Sequence, residues 1–112
     1  MRDKDRQLLL SILAFANKVE RRMTNLSFEA FLENDDIQEA ILYALGQMGE
    51  KVNHLSAEFR EQYPRDEWYG LIGLRNRIFH SYEDITMDIV YKVAKEQTGQ
   101  LIALVSHLLE GK

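Results

Sequence analysis

Along residues 3–23, Leu9, Ile12, Leu13, Ala16, Val19 and Met23 recur at steps of three and four. That period gathers them on one side of a helix and leaves charged residues on the other. A first helix is therefore predicted over Asp3–Met23. In "TNLSFEAFLEN", Ser27 suits the cap of a short helix carrying Phe28, Phe31 and Leu32. The clearest pattern is "NDDIQEAILYALGQMGEKVNHLSAEFREQY". Here Ile37, Ile41, Ala44, Met48, Val52, Leu55 and Phe59 form one stripe over the whole length, with Asp35 or Asp36 as cap. One continuous third helix is predicted. Gly46 and Gly49 lie inside it. Glycine weakens a helix interior, so their placement implies close approach of a neighbouring helix.

"YPRDEW" marks a break and a restart. Pro64 suits a first helical position, and Asp66 and Glu67 suit the positive end of a helix dipole. The fourth helix is predicted over 65–79. A fifth starts after "SYEDIT", with Asp84 or Thr86 as cap, and runs to about residue 110. Its middle, "KEQTGQ", is polar, whereas its end, "LIALVSHLL", is apolar on most sides and implies burial against more than one neighbour. The architecture that hides these stripes is an all-α, up-and-down bundle of four long helices plus one short one, in a single domain over 1–112.

Composition agrees with this reading. One proline and six glycines leave few breaks in 112 residues. That length suits one domain with a real core. The absence of cysteine excludes a disulfide framework, a thiolate metal site and a cysteine nucleophile. It is compatible with the cytoplasm, which is the location expected. A net charge of −4 argues against broad non-specific nucleic-acid binding but leaves room for a local basic cleft. The N-terminal "MRDKDRQLLLSILAFANKVERR" has charges on both sides of a short apolar run, which reads as a helix and not as a signal peptide. No apolar run is long enough to span a membrane.

Candidate chemistry concentrates in "GLRNRIFHSY". At about 100° per residue, Trp68, Leu71, Ile72, Leu74, Ile78 and Phe79 share one broad arc, and Arg75 falls inside it. Arg77 falls on the opposite side, in water. An arginine turned into an apolar arc is costly unless its guanidinium is paired. Arg75 has three possible settings: a pair with a buried carboxylate, a subunit interface, or the wall of a cleft that binds an anion. On a straight helix His80 would sit about 140° from Arg75, and Tyr82 would swing back towards it. A helix ending near Phe79 would let His80 turn to Arg75; a two-fold dimer would bring a pair from each subunit together. The Arg-x4-His spacing alone is a weak motif.

In its context the stretch resembles a known family. "RNRIFHSY" is similar to the Arg-x4-6-His motif of the HEPN superfamily, in the Arg-x4-His-x-Tyr form of HepT-like toxins. The resemblance extends over "LSFEAFLENDDIQEAILYALGQMGEKVNHLSAEFREQYPRDEWYGLIGLRNRIFHSYEDI", most of the chain. It implies a HEPN-type helical homodimer with the active cleft at its interface, and a metal-independent RNA endonuclease that needs no cofactor. It also implies the toxin half of a toxin–antitoxin system. The antitoxin would be an MNT-type nucleotidyltransferase that transfers AMP onto the motif tyrosine. Carried over by position, Arg75 and His80 are the expected catalytic residues, Asn76 the supporting polar residue, and Tyr82 the RNA contact and AMP acceptor. Arg77 lies at a variable position and inherits no role. Glu83 and Asp84 stand where the family often has a small or aromatic residue, and two acids there oppose RNA binding. The rival reading is a non-catalytic binding subunit that complexes with a nucleotidyltransferase and helps it hold substrate.

These residue types suit the implied chemistry. Histidine titrates near neutrality and serves in either proton role. Arginine offers a fixed fork of donors to phosphate oxygens. Elsewhere the ordinary readings suffice. His54 is a surface or boundary residue, and His107 a favourable last-turn cation. Glu50 and His54, one turn apart, make a poor metal site. Arg2, Asp3, Lys4, Asp5 and Arg6 read as a solvated helix start, and Trp68, Phe28, Phe31 and Phe59 as core or interface.

Overall fold

In the computed structural model, which describes residues 1–111, the chain is helical, with no strand among the described residues. The first helix, α1 (Asp3–Met23), buries Leu9, Ile12, Ala16, Val19 and Met23, the predicted stripe. The short α2 (Phe28–Leu32) is capped by Ser27, whose hydroxyl accepts from the Ala30 N–H at 3.1 Å. Helix α3 (Asp35–His54) is capped by Asn34, not by Asp35 or Asp36. The Asn34 side-chain oxygen accepts from the Ile37 N–H at 3.0 Å, and the two acids lie inside the first turn, where they face the helix dipole.

The predicted continuous third helix is broken. It stops at His54, and α4 (Ala57–Gln62) restarts after Ser56. Ser56 caps α4 by accepting from the Phe59 N–H at 3.0 Å. Its own N–H and hydroxyl both donate to the Asp5 carboxylate, each at 2.8 Å. Asp5 is 3% exposed. One member of the supposedly solvated N-terminal cluster is thus buried, and it pins the break to α1. The hydrophobic stripe survives because Leu55 and Phe59 both stay in the core.

Helix α5 (Asp66–His80) starts two residues after Pro64, with Arg65 at the cap position and Asp66 and Glu67 in the first turn. The buried Trp68 donates its indole N–H to the Tyr63 carbonyl at 2.9 Å, which ties the turn to the helix. A single 3₁₀ turn, Tyr82–Asp84, follows. Helix α6 (Met87–Lys92) then begins with Thr86 at the cap position, so Asp84 is not the cap. The predicted fifth helix is interrupted by a π-helical stretch, Val93–Gln97, before α7 (Thr98–Leu109). Two contacts hold α6 and this stretch to the end of α1 and the loop that follows it. Tyr91 donates to the Leu26 carbonyl at 2.6 Å, and Lys95 to the Met23 carbonyl at 2.9 Å. Val90, Ala94, Leu101, Val105 and Leu108 are all buried on both sides of the interruption.

The helices form an all-α bundle. Helix α3 is central, with α1 packed on one side and α5 on the other, and α7 packs on α1. Gly49 is where α5 comes closest: a Cβ there would collide with the Leu71 carbonyl oxygen and the Arg75 Cβ. At Gly46 a Cβ would lie 3.1 Å from the Phe79 ring. The close approach implied by the two glycines is therefore present. It brings the Arg75–Phe79 face of α5 directly onto α3.

Candidate active site

Arg75 comes off the last turns of α5 and is held by α3. Its side chain is 19% exposed. Nε and Nη2 both donate to Glu50 Oε2, at 2.9 and 2.7 Å. Nη1 donates to the Asn76 side-chain oxygen at 2.8 Å. The guanidinium carbon also lies 4.7 Å from the centroid of the Phe79 ring, within cation–π range. Of the three settings open to Arg75, the structure shows the ion pair with a carboxylate.

Glu50 is also bound from its other side. Its Oε1 lies 2.9 Å from Nε2 of His54, one turn further along α3. A chain of polar contacts thus runs His54–Glu50–Arg75–Asn76. The hydrogen bonds from Arg75 hold the Glu50 carboxyl below the usual carboxylate range, with a smaller contribution from His54; partial burial works against them. His54 is exposed, as expected, yet it is not idle. Sequence reasoning missed Glu50 as the partner of Arg75. Its signal was available: Gly49 marks where α5 must touch α3, and the next residue is a carboxylate.

His80 and Tyr82 are placed differently. Helix α5 continues through His80, so the turn that would swing His80 back to Arg75 does not occur before it. Five residues along a regular helix separate the two side chains by about 140°. His80 and Tyr82 are both exposed, and Tyr82 opens the 3₁₀ turn. Within one chain the structure joins Arg75 to Asn76 and leaves His80 and Tyr82 free at the helix end. Phe79 (45% exposed) and Tyr82 (56% exposed) flank His80 with aromatic surface. Among the described residues, no three His, Asp or Glu side chains are grouped to hold a metal ion. Among the described residues, no helix is long and apolar enough to cross a membrane.

A sequence model of HepT-like ribonucleases matches residues 12–108. The chain belongs to the HepT-like ribonuclease family. The match takes in α3, α5 and the whole Arg75–Tyr82 stretch. Among relatives, the chain is 31% identical to "Putative RNase MJ1380" of Methanocaldococcus jannaschii over 93 residues, covering 83% of this chain and 85% of that protein. It is 27% identical to "Putative RNase TTE0752" of Caldanaerobacter subterraneus over 94% of each chain. It is 24% identical to "Probable ribonuclease HepT" of Thermococcus cleftensis, over 90% of this chain and 92% of that one. No solved structure matches the chain significantly. For a member of this family RNA is the substrate class to consider first.

Proposed function

We propose that the chain is the toxin of a HEPN/MNT toxin–antitoxin system, a metal-independent RNA endonuclease that works as a homodimer. The observation that carries this reading is the HepT-like match, which runs through the stretch of sequence that holds Arg75, Asn76, His80 and Tyr82. Arg75 stabilises charge on the scissile phosphate, and Asn76 orients its guanidinium. His80 takes the proton from the 2′-OH as that oxygen attacks phosphorus. The second copy's His80 supplies a proton to the departing 5′-oxygen. The products are a 2′,3′-cyclic phosphate and a 5′-hydroxyl. The separation of Arg75 and His80 around α5 supports a site completed by two copies, because one chain does not aim both at one phosphate.

Tyr82 contacts RNA and is the acceptor for AMP delivered by an MNT-type nucleotidyltransferase antitoxin. Adding AMP to so exposed a phenol places bulk and negative charge beside His80 and repels RNA. The experiment is RNA digestion by purified protein in excess chelator, with the cleaved ends identified. Fragments ending in 2′,3′-cyclic phosphate are expected. A 3′-hydroxyl end, or cleavage only on adding a divalent ion, would contradict the mechanism.

One observation favours a second reading. Glu50 already occupies two arms of the Arg75 fork. In a non-catalytic subunit that pairs with a nucleotidyltransferase and helps it hold substrate, Arg75 would be a structural arginine. That protein would leave RNA intact in every condition of the same digestion.

A further inference from the structure

The head of Arg75 is only partly used within the chain. A guanidinium carries five N–H groups. Nε and Nη2 each direct one to Glu50 Oε2, and Nη1 directs one to the Asn76 side-chain oxygen. One N–H on each terminal nitrogen is left over, and neither has a hydrogen-bond partner among the described residues. The side chain reaches the surface, at 19% exposure, so these two donors are the ones it can offer to a phosphate oxygen.

Where they point is fixed along the whole side chain. At the base, Arg75 Cβ stands against Gly49, at the closest approach of α3 and α5. Further out, the guanidinium carbon lies 4.7 Å from the centroid of the Phe79 ring. At the head, Glu50 Oε2 takes two bonds at 2.9 and 2.7 Å. Glu50 is itself steadied, because its Oε1 lies 2.9 Å from Nε2 of His54 one turn along the same helix. An unrestrained arginine must give up rotamer freedom when it engages a ligand, and one already held does not. The same carboxylate has an opposing effect: its negative charge beside the free donors repels a phosphate. Affinity for RNA alone would be served better without it.

We propose that Glu50 is a positioning residue of the ribonuclease site. It fixes the direction of Arg75 at the expense of phosphate affinity, and so presents the two free donors where charge develops on the phosphate as the 2′-oxygen attacks. Glu50 touches no reacting atom and acts through Arg75. The inference rests on the ribonuclease reading and deepens it, because an ion pair that by itself reads as structural becomes the device that sets the catalytic arginine in advance.

The test separates turnover from binding. The RNA cleavage rate at saturating substrate, and the affinity for a short 2′-O-methyl RNA that cannot be cleaved, are measured for wild type, Glu50→Gln and Glu50→Ala. The helicity and mass of each protein are recorded alongside. Glu50→Ala is expected to lower the cleavage rate by about tenfold to a hundredfold, while affinity for the uncleavable RNA is unchanged or tighter. Glu50→Gln keeps an acceptor oxygen for the guanidinium, and its rate is expected to fall between those of Glu50→Ala and wild type. A carboxylate that serves structure alone would give either loss of rate and affinity together or a folded variant with neither changed, and each of these results overturns the proposal. If Glu50→Ala does not fold, the same split in Glu50→Gln decides. RNA left intact by the wild type sinks the ribonuclease reading itself, whereas RNA cleaved at an undiminished rate by folded Glu50→Ala sinks the positioning role alone.

Discussion

Arg75 is tied into the bundle by its partners on α3 and at its own helix end. Its charge is neutralised by Glu50 on α3, yet it stays 19% exposed and keeps Nη1 against Asn76 at the surface. The pair has a consequence for pH. Glu50 has its carboxyl held low by Arg75, so it contributes stability that is complete above the usual carboxylate range and is lost as pH falls through its lowered value. Glu50→Gln should therefore be less stable than wild type at pH 7, by about 1–3 kcal/mol, and the gap should close on acidification. Urea unfolding at pH 7 and at about pH 2.5, well below the ordinary carboxylate value, checks this; an equal gap at both would contradict it. The position of Arg75 inside an apolar arc was legible from spacing. Its partner was not legible from periodicity within α5, which says nothing about which residue of α3 lies opposite; only Gly49, as the mark of the close approach, pointed to its neighbour Glu50.

At the scale of elements, glycines separate two physical effects. Gly49 faces α5 at contact distance, and an added Cβ meets the Leu71 carbonyl oxygen, which cannot rotate away. Gly49→Ala should cost about 1–3 kcal/mol or more through forced separation of α3 and α5. Gly73, in the middle of α5, has nothing within 4 Å of such a Cβ. Gly73→Ala should instead stabilise by about 0.5–1 kcal/mol, the ordinary preference for alanine in a helix. Thermal melts of the two variants should move in opposite directions. The sequence pattern located α1, α2 and α5 well from their apolar spacing, with the Ser27 cap of α2 as expected, although Pro64 lies before α5 and not at its first position. It missed the α3–α4 break, since Leu55 and Phe59 keep the helical spacing across it. The break depends on Asp5 reaching Ser56 from 51 residues away. The π-helical stretch escaped for a related reason: a run as polar as "KEQTGQ" carries little periodicity to violate.

For the whole molecule, the all-α bundle and membership of the HepT-like ribonucleases agree, and most of that was readable from α3 through Tyr82. What one chain does not supply is a closed site. Arg75 turns inward to α3, and His80 ends α5 facing water. A homodimer, with a solution mass twice the 13.1 kDa of one chain, is the assembly that would join them. Control would act at the same place. Expression should arrest growth, and a cognate nucleotidyltransferase should relieve the arrest. With Tyr82→Phe the arrest should persist in the presence of that partner. A Tyr82→Phe protein that is still fully neutralised would show that AMP transfer to this tyrosine is not the control step.

The most direct measurement compares wild type and His80→Ala on the same RNA in excess chelator, with the mass and helicity of both proteins recorded. The account predicts cleavage by the wild type and none by His80→Ala, with both folded and of equal mass. Cleavage that survives His80→Ala, or RNA left intact by the wild type, would contradict it.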